Sequence, residues 1–363
     1  MTDAVHMAHA LALAARGLGR TWPNPAVGCV IVRAGRIVGR GWTQAGGRPH
    51  AETIALAQAG PLAFGATAYV TLEPCCHHGQ TPPCTDALIA AGIARVATAL
   101  TDPDPRVAGR GHAALRAAGI DVSEHILAAP ARALNAGFLK RVTQGLPYVT
   151  LKLATSLDGR IATATGRSRW ITGEAARRAV HAQRSAHDAV MVGIGTVLAD
   201  DPSLTVRDLG LAHQPLRIVI DSHLRLPPHS RLAQTARENP VWLCHAADTD
   251  VAQTHPLNAS GLRLIACARD HDGKVDLTDA LKKLARQGLT RIYCEGGGTL
   301  AASLIRENLV DTLTHFTAGT LIGGDGHAAL AALGITDLQD APRLSLTSLR
   351  QIGPDTCADW QFA

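Results

Sequence analysis

Segments with strand and helix character alternate along the chain in two successive series, and this alternation restricts the fold more than any other feature. The first series runs from an amphipathic helix at His6–Ala15 to a helix at Pro130–Thr143, and the second begins with an apolar strand at Tyr148–Ala154. Alternating helices and strands with short connections form layered α/β sheets. The sequence therefore predicts two α/β domains.

The sequence Gln144-Gly145-Leu146-Pro147 separates the two series. Glycine followed by proline just past a helix is a helix stop signal. A chain of 363 residues is also long enough for two or three domains. We predict a first domain at residues 1–145 and a second domain at residues 146–363.

Within the first domain, the pattern predicts a hairpin of strands Gly28–Arg33 and Arg36–Trp42, turning at Ala34-Gly35. The other segments predicted there are helices Ala51–Ala59, Pro83–Ala91 and His112–Ala118 and strands Ala66–Leu72, Arg95–Leu100 and Asp121–Glu124. In the second domain they are strands Ala189–Val192, Arg217–Asp221, Val241–Cys244, Leu262–Ala266 and Arg291–Cys294 and helices Glu174–Arg184, Thr278–Arg286 and Thr299–Asn308. The connections Arg225–Glu238 and Ala246–Gly261 are predicted to be exposed loops.

The composition narrows the classes of function. Residues 1–145 carry 13 Lys and Arg against 8 Asp and Glu, whereas residues 146–363 carry 22 of each. The basic excess suits an anionic small molecule or a nucleic acid, but an aromatic content of 3% argues against single-strand binding, which uses aromatic platforms.

No run of about 18 uncharged apolar residues predicts a membrane span. Eight cysteines, only three of them clustered, favour the reducing cytoplasm over a disulfide scaffold.

Three potential metal ligands occupy positions that suit a catalytic zinc site. His50 precedes a predicted helix, Cys75 follows a strand, and Cys84 begins the next helix. Three N/S ligands leave the fourth zinc position open for water, whose pKa zinc lowers to about 7. The resulting hydroxide can attack the amine-bearing carbon of a pyrimidine-like ring, while Glu52 shuttles the proton. The pattern indicates a zinc-dependent deaminase.

Two other classes of function remain open at this point. A nucleic-acid-editing deaminase would need a basic, aromatic-bearing accessory domain, and a non-enzymatic module would need a fourth protein ligand on a structural zinc. Cys76, His77 or His78 could supply that ligand. The Cys-x8-Cys spacing of Cys75 and Cys84 also departs from the Cys-x2-Cys spacing that is usual in base deaminases.

Longer motifs throughout the chain resemble the family of bifunctional riboflavin-biosynthesis deaminase–reductases, in which the long cysteine spacing is the normal pattern. The motifs that carry the resemblance are Thr21–Gly28 (TWPNPAVG), His50-Ala51-Glu52, Glu73–Cys84 (EPCCHHGQTPPC), Gly137-Phe138, Lys152–Arg160 (KLATSLDGR), Trp170-Ile171-Thr172, Thr196–Arg207 (TVLADDPSLTVR) and Glu295-Gly296-Gly297.

The resemblance implies a cytidine-deaminase-like three-layer domain followed by a dihydrofolate-reductase-like domain. It implies deamination of 2,5-diamino-6-ribosylamino-4(3H)-pyrimidinone 5′-phosphate with zinc, followed by NADPH reduction of the ribosyl side chain to give 5-amino-6-ribitylaminouracil 5′-phosphate. The expected partners are therefore phosphorylated pyrimidines, without nucleic acid or membrane, and the oligomeric state is left open.

The resemblance also implies a role for individual residues. His50, Cys75 and Cys84 would bind zinc, Glu52 would transfer protons, and Asn24 would hydrogen-bond the pyrimidine. The reductase substrate would contact Ser168, Arg184, Leu204, Arg207 and Glu295, with the two arginines as phosphate partners. NADPH would contact Ala154, Trp170, Thr196, Asp200, Ser222 and the turn Gly297, Gly298, Thr299, Leu300, Ala301, Ala302 and Ser303.

Two residues depart from the family pattern. Many relatives have serine at the position of Cys76 and a basic residue at the position of Gln80. Cys76 could compete for metal or be oxidised. Gln80 removes a cation beside the mouth of the deaminase site, so phosphate binding there must use other residues.

Overall fold

A computed structural model of the protein describes residues 2–79, 81–249 and 260–362. The chain divides into two compact units, Met1–Leu146 and Pro147–Ala363. Gln80, one of the two departures from the family pattern, and most of the predicted loop Ala246–Gly261 lie outside the described residues.

The first unit contains one mixed five-stranded sheet. Its elements are α1 (Asp3–Ala14), β1 (Gly28–Arg33), β2 (Arg36–Trp42), α2 (Ala51–Ala59), β3 (Thr67–Val70), α3 (Cys84–Ala90), β4 (Arg95–Thr98), α4 (Arg110–Ala117), β5 (Asp121–Ser123), α5 (Ala128–Leu134) and α6 (Ala136–Gln144). The strand order is β2-β1-β3-β4-β5. β1 is antiparallel to β2 and β3, whereas β3, β4 and β5 are parallel. The predicted hairpin and the predicted helix α2 are confirmed at both ends.

Helices cover both faces of this sheet. A Cβ on Gly28 would lie 1.9 Å from the carbonyl oxygen of Ala10 in α1, and a Cβ on Gly41 would lie 2.1 Å from that of Ala51 in α2. Gly41 pairs with Cys29, the residue after Gly28. Because successive strand residues face opposite sides, α1 and α2 lie on opposite faces. The two glycines let both helices approach the strands closely, which gives three layers around a common core.

The predicted helix Pro130–Thr143 is wrong in one respect, because the structure has two helices there, α5 and α6, separated at Asn135. The buried Asn135 side chain accepts a hydrogen bond from the Ala26 N–H and donates one to the Ala26 carbonyl, each at 3.0 Å. This exchange imitates a strand pair. It fixes the Pro25-Ala26 segment that follows Asn24.

The second unit contains a nine-stranded sheet and a small separate pair. Its elements are β6 (Tyr148–Ser156), β7 (Arg160–Ala162), α7 (Glu174–Ser185), β8 (Ala189–Gly193), α8 (Ile194–Asp200), β9 (Leu216–Ile220), α9 (Arg231–Gln234), β10 (Val241–Ala246), β11 (Arg263–Cys267), α10 (Leu277–Arg286), β12 (Arg291–Cys294), α11 (Gly298–Arg306), β13 (Thr312–Ala318), β14 (His327–Ala328), β15 (Leu344–Ile352) and β16 (Asp355–Phe362). The strand order of the large sheet is β11-β10-β9-β8-β12-β6-β13-β16-β15.

Seven neighbouring strands, from β11 to β13, run parallel, and β16 and β15 complete the sheet in antiparallel pairs. Almost every side chain of β8, β9 and β10 is buried, as expected for parallel strands covered on both faces. The prediction that Arg225–Glu238 is an exposed loop is wrong. It contains α9, and Leu226, Leu232 and Ala236 pack into the core because they are apolar and follow a buried strand.

Candidate active sites

The three predicted zinc ligands lie together in the first unit. His50 is the N-cap of α2, Cys75 follows the end of β3, and Cys84 is the first residue of α3. The Nδ1 atom of His50 lies 3.3 Å from the Cys84 Sγ and 3.7 Å from the Cys75 Sγ. Among the described residues, this is the one cluster of three or more His, Cys, Asp and Glu side chains arranged to hold a metal.

The spacing of these three atoms fits zinc. Bonds of about 2.3 Å to sulfur and about 2.0–2.1 Å to nitrogen place tetrahedral ligand atoms roughly 3.5–3.8 Å apart. The neighbouring Cys76 is directed elsewhere, with its Sγ 3.9 Å from the carbonyl oxygen of Arg106. The described ligand set therefore has three members and leaves one position for a water or substrate.

Glu52 lies two residues beyond the predicted ligand His50, in the first turn of α2, and is buried, with 4% of its surface exposed. Burial, followed by the nearby charge of Cys75, raises the pKa of Glu52 to about 7. A hydrogen bond from Cys84, together with His50, lowers the pKa of Cys75, which favours its thiolate form. A carboxyl group with a pKa near neutrality can both accept and return a proton.

Glu73 fixes the loop that carries Cys75, a role that the sequence analysis missed. Its carboxylate accepts four backbone N–H bonds, from Asp102 and Gly109 on one oxygen and from Gly111 and His112 on the other, at 2.8–3.1 Å. Buried carboxylates need such partners. A glutamate directly after an apolar strand was the available sequence signal.

The predicted pyrimidine-binding residue Asn24 lies beside the segment that leads to His50. Its side-chain nitrogen donates to the Gly47 carbonyl at 3.0 Å. Gly47 has φ +83°, and a Cβ there would overlap the Asn24 side chain, so only glycine fits. One N–H of the Asn24 amide is therefore engaged with the backbone, which leaves the other N–H and the carbonyl oxygen to face a ligand.

In the second unit, four of the predicted cofactor residues lie near or just after the ends of four adjacent parallel strands, β9, β8, β12 and β6. Ser222 follows β9, Thr196 lies in α8 after β8, Gly297 follows β12, and Ala154 lies near the end of β6. The carboxyl ends of neighbouring parallel strands meet at one edge, where ligands of open α/β sheets bind. The Thr196 hydroxyl accepts a hydrogen bond from the Gly297 N–H at 3.0 Å, which joins two of these segments directly.

The turn Gly296-Gly297-Gly298 opens α11 in a form that suits a phosphate. Gly297 is the N-cap, and no side chain caps the helix. The first-turn N–H groups of Gly298, Thr299 and Leu300 therefore point outward with the positive end of the helix dipole. The remaining predicted residues of the turn, Ala301, Ala302 and Ser303, continue the same helix. These features fit the pyrophosphate of NADPH.

Three further predicted cofactor residues, Trp170, Asp200 and Ser222, contact other parts of the protein in this structure. The Trp170 ring is 68% exposed, and the Arg177 guanidinium lies 4.7 Å from its centroid. The Asp200 carbonyl accepts from Arg169, which brings the Ser168–Trp170 segment to the end of α8. The Ser222 hydroxyl accepts from the Val275 N–H at 2.9 Å.

The predicted reductase-substrate residues form a second group around a buried ion pair. Arg184 binds both carboxylate oxygens of Glu295, at 2.5 and 3.0 Å, and also donates to the Thr205 carbonyl at 2.8 Å. Burial alone would raise the pKa of Glu295, but the charge and hydrogen bonds of Arg184 lower it. Arg184 is thus largely occupied by protein acceptors, and a phosphate would have to share it.

Arg207 is the more accessible of the two predicted phosphate partners. It is exposed, and its guanidinium donates to the Ser203 hydroxyl at 3.0 Å. Leu204, which lies between Ser203 and Arg207 in the sequence, is buried and adopts φ +55°. A non-glycine residue in this region is a local strain that the surrounding structure must hold.

Lys152 is a candidate that the residue assignment missed. It lies in β6 among apolar residues, and burial lowers its pKa while the charge of Glu295 raises it in part. A lysine within an otherwise apolar parallel strand was the signal. The charged groups Lys152, Arg184 and Glu295 interact, and they add a titratable cluster to the reductase site.

Comparisons with known proteins agree with this arrangement. Residues 1–100 match the family model of the cytidine and deoxycytidylate deaminase zinc-binding region, and residues 147–358 match that of the RibD C-terminal domain. The chain is 46% identical to the riboflavin biosynthesis protein RibD of Escherichia coli (strain K12), over 98% of both chains. It is 42% identical to the RibD protein of Bacillus amyloliquefaciens, over 96% of this chain and 94% of that one.

Solved structures give the same result for the fold. RibD of Acinetobacter baumannii superposes with a TM-score of 0.89 at 39% identity, covering 99% of each chain. The Thermotoga maritima diaminohydroxyphosphoribosylaminopyrimidine deaminase/5-amino-6-(5-phosphoribosylamino)uracil reductase superposes with a TM-score of 0.87 at 31% identity, again over 99% of each chain.

These matches confirm the expected fold class, a cytidine-deaminase-like unit followed by a dihydrofolate-reductase-like unit, and the expected cofactors, zinc and NADPH. Within the part of the chain that the structure describes, no helix is both long and apolar enough to cross a membrane. The chain belongs to the RibD family of bifunctional riboflavin-biosynthesis deaminase–reductases.

Proposed function

We propose that the first unit deaminates 2,5-diamino-6-ribosylamino-4(3H)-pyrimidinone 5′-phosphate and that the second unit reduces the ribosyl side chain of the product. The observation that carries the proposal is the three-member ligand cluster His50, Cys75 and Cys84 with the buried acid Glu52 beside it. A structural zinc would need a fourth protein ligand, whereas Cys76 is directed to the Arg106 carbonyl.

In the deaminase unit, we assign zinc binding to His50, Cys75 and Cys84. Bound zinc supplies Lewis-acid activation of water near neutral pH. Glu52 takes a proton from the attacking water, gives it to the adjacent ring nitrogen and then helps to protonate the leaving amine. Burial raises the pKa of Glu52, which favours its return of a proton to the substrate. Asn24 offers its free carbonyl oxygen to a donor on the pyrimidine edge.

In the reductase unit, NADPH supplies the hydride when bound. The turn Gly297–Ser303 would hold its phosphates at the start of α11, with Thr196 fixing the turn through the Gly297 N–H. Ala154, Trp170, Asp200 and Ser222 complete the proposed cofactor site. Ser168, Leu204 and Arg207 would hold the substrate, and the Arg184–Glu295 pair would form the buried wall of that site.

We also propose that the enzyme works in the cytoplasm on small molecules alone, with assembly into a homo-oligomer left to be measured. All eight cysteines are described, and none forms a disulfide, which suits a reducing compartment. The second unit is charge-balanced and the chain poor in aromatic residues, which argues against a nucleic-acid partner.

The deciding experiment incubates the purified zinc-containing protein with the diaminopyrimidinone phosphate, with and without NADPH, and identifies the products by mass. We expect ammonia and the deaminated uracil phosphate without NADPH, and the ribityl product when NADPH is added. Ammonia released from RNA, but not from the free nucleotide, would favour an editing deaminase. Absence of ammonia from both would favour a zinc-stapled binding module.

A further inference from the structure

Arg48 lies at the mouth of the zinc site, two residues before the ligand His50. Its Nη1 atom donates to the Thr81 hydroxyl and lies 3.5 Å from His50 Nε2. Its Nη2 atom lies 3.6 Å from where a Cβ on Gly79 would be. The guanidinium therefore lies against the loop that connects the two cysteine ligands, on the side of the His50 ring opposite Nδ1.

Among the described residues, no carboxylate forms an ion pair with Arg48. Arg106 differs, because both oxygens of Asp104 accept hydrogen bonds from its guanidinium. A half-buried guanidinium without an acidic partner keeps donors available for an incoming anion.

The identity of the metal-binding atom adds a second argument. His50 Nδ1 faces Cys75 and Cys84, so a metal held there leaves the proton of the ring on Nε2. Nε2–H and the Arg48 N–H groups are then both donors, and they cannot bond to each other. Two donors facing one another at this distance, with the Thr81 hydroxyl beside them, are arranged to share an acceptor oxygen.

We propose that Arg48 binds the 5′-phosphate of the deaminase substrate and gives this unit its preference for a phosphorylated pyrimidine. The inference rests on the proposed function of the first unit, and it concerns how that site recognises its substrate.

The first test compares Arg48→Gln with Arg36→Gln, an exposed arginine in the β1–β2 hairpin whose replacement removes the same charge from the same unit. Deamination is measured with the phosphorylated substrate and with its dephosphorylated nucleoside. We expect Arg48→Gln to raise KM for the phosphorylated substrate about 10- to 100-fold, the range of a lost charge-assisted contact, with a much smaller effect on kcat. The nucleoside KM and the reductase KM should stay unchanged.

If Arg36→Gln raises KM equally, the effect comes from the overall positive charge of the first unit and not from a contact of Arg48, and the proposal is wrong. An unchanged phosphate preference in Arg48→Gln would also overturn it. Failure of the proposed function is distinguishable, because a protein that is not a deaminase shows no turnover at any concentration of either substrate.

A second measurement uses the unmodified protein and needs neither turnover nor a folded variant. Phenylglyoxal modifies arginines, and peptide mass spectrometry reports the modified fraction at each one. We expect inorganic phosphate to protect Arg48 in the zinc-loaded protein more than chloride does at equal ionic strength, while Arg36 is not protected. Equal protection by both ions, or none, would overturn the assignment.

Discussion

Glu52 is the residue on which we expect deamination to depend most, because it is the buried acid beside the proposed ligand cluster. We expect Glu52→Gln to retain zinc and to lose at least about 10²–10⁴-fold in deaminase kcat, since one general acid–base group contributes this much and Glu52 is used more than once. Turnover and zinc content are measured on the same sample. Asp121→Asn, at an exposed position of the same unit, is the control. Near-normal turnover with zinc bound would contradict the role.

Arg207 has the accessible guanidinium of the proposed reductase-substrate site, whereas Arg184 is paired with Glu295. We expect Arg207→Ala to raise KM for the reductase substrate more than it lowers kcat, because a phosphate far from the reacting carbon is held similarly in the ground and transition states. Steady-state kinetics with the deaminated substrate measure both constants. Arg178→Ala, on the exposed face of α7, should change neither. An unchanged KM would remove Arg207 from the phosphate site.

The sequence predicted the ligand cluster because its residue types and spacing are local signals that survive without the fold. It did not predict Glu73 or Lys152 as functional, since their importance comes from partners distant in the chain. Glu73, for example, is defined by N–H groups 29 to 39 residues further along.

At the scale of elements, the structure contains the predicted segments with clear periodicity. The strands near the C terminus, β13, β15 and β16, were not predicted. β13 reads Thr312-Leu-Thr-His-Phe-Thr-Ala, in which the threonines and the phenylalanine favour a strand, but its apolar residues Leu313 and Phe316 are three apart and so do not alternate. β15 is different: it is the edge of the sheet, and six of its nine side chains are exposed. An edge strand without a buried face carries little hydrophobic pattern, so its existence depends on pairing with β16.

One connection in the second unit links the end of β6 to the proposed NADPH turn. The Asp158 carboxylate accepts from the Ser156 hydroxyl and from the N–H groups of Ile322 and Gly323, at 2.6–3.3 Å. These bonds, led by the one from Ser156, lower the pKa of Asp158 to about 2. The chain after Ile322 and Gly323 continues to Ala331, whose N–H donates to the Gly298 carbonyl at 3.1 Å.

We therefore expect Asp158→Asn to raise KM for NADPH several-fold with a smaller effect on KM for the pyrimidine substrate, because the amide nitrogen cannot accept the Gly323 N–H. Reductase kinetics at varied NADPH measure the effect, and deaminase activity should be unchanged. Asp272→Asn, an exposed position in the same unit, serves as the control. Equal effects on the two KM values would mean that the loop does not act through the NADPH turn.

At the scale of the whole molecule, the two cofactors should act independently. The proposed zinc ligands lie in Met1–Leu146, and the described residues of the second unit contain no comparable ligand cluster. We expect a zinc chelator to stop ammonia release while NADPH oxidation with the already deaminated substrate continues. Circular dichroism checks that the treated chain stays folded. Loss of both activities in a folded chain would mean that the sites are not separate.

Cutting the chain near Gln144–Pro147 tests the same independence more severely. The predicted domains end and begin at residues 145 and 146, and the structure divides between Leu146 and Pro147. Each unit has its own sheet and buried core, and chains of about 150 and about 200 residues bury enough surface to fold alone. Each proposed site also lies within one unit.

We expect residues 1–145 to deaminate with zinc and without NADPH, and residues 146–363 to reduce the deaminated substrate with NADPH and without zinc. The fragments are expressed separately, checked for folding and assayed alone and mixed. If both are folded but neither acts until they are combined, the sites depend on residues from both sides of the cut.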